Sequence, residues 1–182
     1  VERVSWYESA AYANAVSDAA GLQECYTCTG SGSGVRCDVG INPYDCIGYR
    51  LLTESEWEGA ARCGTDTAYA GSNTSTDVAW TYQNSGYSTH TVAGLAPNAC
   101  GIYDMSGNVW EWTQDWSEAN LSTSAVTDPT GVSSGSERAA RGGSWKHAAM
   151  FALSVFRSSA DPDWRDISLG FRLGRSSPCR FP

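Results

Sequence analysis

Gly101-Ile-Tyr-Asp-Met-Ser-Gly-Asn-Val-Trp-Glu-Trp112 is the stretch on which the fold turns. Its first half, with Gly101 and Gly107 around Asp104 and Ser106, reads as a turn, and its second half reads as a strand running on to Trp116. Trp110, Trp112 and Trp116 are expected in the core, where large aromatics contribute the most apolar area per residue. Downstream, residues 117–136 are polar loop by composition. Two short strands are expected beyond it, at 138–145 and 167–172, paired with each other. Upstream, residues 5–20 space Trp6, Ala10, Tyr12, Ala13 and Val16 at close to helical intervals, and Gly21 stops the helix. Thr53-Glu-Ser-Glu56 is a capping box opening a second helix over 54–63, with Trp57, Ala60 and Ala61 inward and Gly64 as its end. Residues 65–97 show only loops and short extended pieces.

Arg141-Gly-Gly-Ser-Trp145 and Leu169-Gly-Phe-Arg-Leu173 frame an insert, 146–168, that has neither a helical nor an alternating period. Paired glycines let backbone pass closely and the following aromatic anchors the turn. A fixed frame around an irregular, partly aromatic insert is how a binding loop is built on a rigid scaffold. Lys146, His147, Met150, Phe151, Phe156, Asp163, Trp164 and Arg165 are the expected contact residues. Their aromatic and arginine content suits a protein ligand better than a sugar. Phe156 and Val155 equally suit the core beneath Trp145.

The chain has 182 residues with 8 Trp, 9 Tyr and 19 Gly, and only 18% of them are charged. That composition gives one domain over 1–182, loop-rich with few long helices, and with the two helices and short strands read above the fold class is α+β. A net charge of −8 argues against nucleic acid as a partner. No apolar run is long enough to span a membrane, and Val1 opens no signal-peptide pattern, so the chain reads as a processed form or a piece of a longer one.

Of the 7 cysteines, Cys25, Cys28, Cys37 and Cys46 share one Gly/Ser-rich stretch. Cys25-x-x-Cys28 is half of a zinc site, but Cys37 and Cys46 form no second close pair. The spacing favours disulfides stapling a floppy loop in an oxidising compartment. A Cys63–Cys100 bridge is compatible with the sequence, and the odd count leaves one thiol over, with Cys179 isolated.

Four motifs in order resemble the formylglycine-generating-enzyme superfamily, or sulfatase-modifying factors. They are Val4-Ser-Trp6, Tyr49-Arg-Leu-Leu-Thr-Glu-Ser-Glu-Trp57 through Arg62, Gly101 to Trp112, and Arg141-Gly-Gly-Ser-Trp145 with Gly170-Phe-Arg172. The resemblance implies a C-type-lectin-type fold of small mixed sheets, two helices and much ordered coil. It also implies a leading N-terminal segment that this chain lacks, so a partner chain completing that part of the fold is expected. Family enzymes oxidise a substrate cysteine with copper held by two cysteines, whose places here fall on His147 and Ala152. Imidazole and methyl cannot replace thiolates for copper(I). A related branch uses three histidines for iron, whereas this chain has only His90 and His147. The family's calcium site maps onto Asp104, Gly107, Val109 and Glu111, with Ca2+ as the structural cofactor. Two carboxylates in one short turn need a positive charge between them.

One branch of the fold comprises the variable proteins of diversity-generating retroelements, which randomise residues near the C-terminus through mutated Asn codons. His147, Ala149, Phe151, Val155, Phe156, Ala160, Asp166 and Ile167 are all encodable that way. The expectation is a non-catalytic, extracellular, calcium-held recognition domain. The alternatives are a structural subunit of a cell-surface assembly and a divergent metal-dependent oxidase.

Overall fold

The computed structural model describes residues 1–118 and 126–176. Helix α1, Trp6–Ala19, opens on a capping box: the Ser5 hydroxyl accepts from the Glu8 amide and the Glu8 carboxylate accepts from the Ser5 amide. Its buried face is Trp6, Ser9, Ala10, Ala13, Asn14 and Ser17. Tyr12, expected inward, is 56% exposed and meets Phe171 edge-on instead. Small polar residues do the anchoring. Asn14 bonds the amides of Cys25 and Tyr26 and the carbonyl of Tyr26, and Ser17 Oγ accepts from the Tyr49 amide.

The cysteine-rich stretch is ordered, contrary to the expected floppy loop. Strands β1, Tyr26–Thr29, and β2, Arg36–Val39, pair antiparallel with Cys28 opposite Cys37, and those two residues are bridged. Cys25–Cys46 and Cys63–Cys100 are the other two disulfides. Cys179 lies outside the described residues, as does part of the expected 117–136 loop. Next come β3, Tyr49–Leu51, and α2, Glu54–Arg62, whose Thr53–Glu56 capping box forms as its sequence dictates. Trp57 and Ala61 are buried, while Ala60 is only partly so. Within 65–97 lie a one-turn helix α3, Ser75–Val78, and the short strand β4, Ala79–Trp80, which pairs parallel with β5, Ser106–Gly107.

The main sheet is built on β6, Trp110–Trp116. Strand β7, Arg138–Arg141, pairs antiparallel on one side and β8, Arg157–Ala160, lies antiparallel beyond it, while β9, Leu169–Phe171, runs parallel on the other side. The two strands expected to pair with each other therefore flank β6 instead. A parallel neighbour needs a long crossover, and the chain between β6 and β9, which includes β7 and β8, supplies it. Strand β10, Leu173–Arg175, pairs with β3. Trp112 and Trp110 are buried as expected, and Trp116 is half-buried. The indoles of Trp6 and Trp112 keep their N–H satisfied: Trp6 donates to Thr113 O and Trp112 to Val4 O. Among the described residues, no helix is long and apolar enough to cross a membrane.

Asp115 sits beneath the start of α2 and accepts the Glu54 amide at 2.6 Å. Burial, with the Glu54 charge adding to it, pushes this carboxyl up to about 6 against the pull of that amide. The folded state thus holds the proton more tightly than the unfolded one, whose carboxyl titrates near its ordinary value of ~3.9. Stability is fullest below about pH 4 on this account and falls as pH rises through 6. Asp115→Asn is expected to flatten that slope and to add on the order of 1–2 kcal/mol at neutral pH. Thermal unfolding followed from pH 4 to 8 checks it, and an unchanged slope rejects it.

Candidate recognition surface

The glycine pair of the frame acts through close approach. Gly143 has φ +73°, and a Cβ there would lie 2.8 Å from the backbone of Ala152. The short 3-10 turn Ala149–Ala152 therefore rests directly on the frame, and Ser106 Oγ donates to Ala152 O beneath it. Below the turn, Arg141 is fully buried and bonds Glu54, Glu58 and the carbonyls of Ser154 and Val155. Arg157 holds the same Glu54 through two contacts at 2.6 and 2.7 Å. These arginines pin the segment rather than present it.

Strand β8 divides the 146–168 insert into two arms. In the first, Phe151 and Phe156 meet edge-on at 4.9 Å, and His147 lies edge-on to both Trp110 and Phe151. The three rings are only partly exposed, so they form a floor. Burial, with Lys146 beside it, lowers the His147 pKa below the ordinary histidine value. The Trp110 indole can only donate, and it does so to Nδ1 at 3.3 Å, while Ser144 Oγ meets the same nitrogen at 2.6 Å. The neutral ring therefore carries its proton on Nε2. Met150, by contrast, is 58% exposed.

The second arm leans on the other end of the molecule. Arg165 pairs with Glu8 at the start of α1, Asp163 pairs with Arg36 on β2, and the Trp6 amide donates to Pro162 O. Trp164 between them is 55% exposed. Lys146 and Asp166 join the arms at 2.7 Å, and the Trp145 indole donates to Ile167 O. Met150, Val155, Trp164 and Ile167 are thus the large apolar groups that this region leaves open to solvent. Sequence reasoning named two of these four among its contact residues. Asp163, Arg165 and Lys146 are engaged in ion pairs within the chain.

The residues at the family's copper positions offer no thiolate, and the carboxylates mapped to calcium have partners within the chain. Ala152 offers no donor atom, His147 Nδ1 is doubly hydrogen-bonded, and the six described cysteines are all bridged. His90 stacks on Trp80 at 3.8 Å with Nε2 on Ser85 O. Among the described residues no three His, Cys, Asp or Glu side chains gather as a metal site. Glu111 accepts from the Trp57 indole at 2.7 Å and from Arg172 at 2.9–3.2 Å, and Asp104 accepts from the Ala93 amide. Gly107 bends against β4, where a Cβ would lie 2.4 Å from Trp80 O. Burial opposes the Arg172 charge, but Glu111 and Asp104 together raise its pKa. This guanidinium puts a positive charge on Glu111 and near Asp104, and sequence spacing gave no means of placing it there. Chelator is therefore expected to leave the melting temperature unchanged, whereas Arg172→Ala lowers it; a fall on chelation would restore the calcium reading.

Four motifs, a β6-centred sheet and a glycine-framed insert define a formylglycine-generating-enzyme-like scaffold. The chain belongs to the family described as the sulfatase-modifying factor enzyme 1-like domain, whose profile matches residues 1–177. It is similar to the solved structure of Treponema denticola variable protein 1, with 36% identity and a TM-score of 0.84, over 95% of this chain and 69% of that one. It is 31% identical to chaperone protein LppX of Paenibacillus barcinonensis, over 97% of this chain and 69% of that protein. The formylglycine-generating enzyme of Thermomonospora curvata is 38% identical over 69% of this chain, which spans only 48% of the enzyme.

Proposed function

We propose that the chain is a non-catalytic recognition domain that binds a protein ligand outside the cell through the 146–168 surface. The observation that carries this reading is the contrast within that segment. Its backbone is fixed by Arg141, Arg157 and the Gly143–Ala152 contact, yet Met150, Val155, Trp164 and Ile167 stand open to solvent. Rigid backbone with exposed apolar tips limits the entropy lost on binding. Further support comes from the likeness to a variable protein, from the missing copper ligands and from three disulfides that suit an oxidising compartment. Sequencing the coding region from independent isolates tests it. Differences concentrated between 146 and 168, with the frame constant, are expected, and an even scatter would overturn the reading. In parallel, a sulfatase-derived cysteine peptide supplied with copper(I) is expected to keep its thiol; conversion to the aldehyde would make the chain an enzyme.

A further inference from the structure

No Asp, Glu, Lys or Arg lies between Asp77 and Asp104, and the middle of that stretch reads Thr81-Tyr-Gln-Asn-Ser-Gly-Tyr-Ser-Thr89. Tyrosine with serine, glycine and asparagine is the composition of antibody contact loops. Tyr supplies large amphipathic area at small entropic cost, and the short polar residues supply adaptable hydrogen bonds. The loop is fastened to the glycine frame. The Tyr82 amide donates to His147 O at 2.9 Å and Ser85 Oγ donates to Trp145 O at 2.8 Å. Gly86 and Tyr87 take successive positive φ values, 60° and 63°. For a bulky non-glycine residue that conformation is strained and persists only where the surroundings impose it. Its result is outward display: Tyr82 is 52% and Tyr87 66% exposed, with rings edge-on at 5.3 Å and hydroxyls 3.2 Å apart.

We infer that the 81–89 loop is a second, constant half of the recognition surface. It sits beside the first arm of 146–168 and contacts an uncharged, mixed polar and apolar epitope on a folded protein. The inference rests on the recognition reading above and deepens it: the C-terminal segment sets which protein binds, and the tyrosine pair supplies affinity common to its variants. A charged partner surface is disfavoured, because the loop offers no compensating charge and desolvating an unpaired ion is costly.

The test uses the intact chain as target for a naive phage-displayed single-domain binder library, which serves as the probe. Clones are read against Tyr82→Ala/Tyr87→Ala and against Met150→Ala/Trp164→Ala, with Tyr82→Phe/Tyr87→Phe and melting curves as controls for folding. Most clones are expected to lose at least tenfold in affinity with either alanine pair and to keep most of it with the phenylalanine pair. Clones that need Met150 and Trp164 but tolerate the loss of both tyrosines overturn the inference and leave the recognition reading standing. Clones indifferent to both pairs overturn the two together. Glycan-array binding that vanishes with Tyr82→Ala would reassign the loop to a sugar.

Discussion

Glu54→Ala is expected to cost about 3–5 kcal/mol of folding stability, the range for removing one member of a buried ion network. Glu54 is 8% exposed and stands between Arg141, which is fully buried, and Arg157. Its loss leaves the buried Arg141 with Glu58 as its one carboxylate and strips Arg157 of its carboxylate partner. Glu54→Gln is expected to recover part of the loss, because the amide still accepts a hydrogen bond without balancing the charge. The damage should reach the recognition surface, since Arg141 also holds the Ser154 and Val155 carbonyls. Equilibrium denaturation measures the first effect and hydrogen exchange across 149–157 the second. A loss below about 1 kcal/mol would mean that the pairs behave as exposed ones.

Severing Cys25–Cys46 by a paired Cys→Ala change is expected to cost about 2–4 kcal/mol, with the loop-entropy account giving about 3 for this span. The bridge joins positions 21 apart, and both residues are buried against Trp6 and Tyr26 in the main core. Reductant should lower the melting temperature of the parent chain and have less effect on the variant. Equal sensitivity in the two proteins would place the stabilisation in the other bridges.

The helices were legible because their signals are local. Thr53 and Glu56 lie three residues apart, and each finds its partner within one turn. The glycine frame was legible for a similar reason, since positive φ is a demand that few side chains meet. Strand partners were not legible: β7 and β9 are short, and only the intervening β6 decides that they flank rather than pair. The calcium expectation left out a partner of Glu111 on the same ground. Asp104 and Glu111 were visible together, whereas Arg172 comes from 61 residues beyond Glu111. The tyrosine loop was missed although its signal was present. Its composition looks like ordinary coil until the His147 and Trp145 carbonyls are seen to dock it.

The second arm carries a consequence for how such a surface changes over generations. Trp164 is aimed by neighbours in the disulfide-bridged hairpin, through Arg36 on Asp163 and the Ser33 carbonyl on Arg165, positions separated by 127 and 132 residues of chain. A substitution at either end re-aims the other. Arg36 and Asp163 should therefore change together, whereas the Ser33 carbonyl stays available to Arg165 whatever side chain stands at 33. The first arm is held at its backbone by the Gly143 approach and by Arg141 and Ser106 on carbonyls, so its outward side chains can vary by themselves.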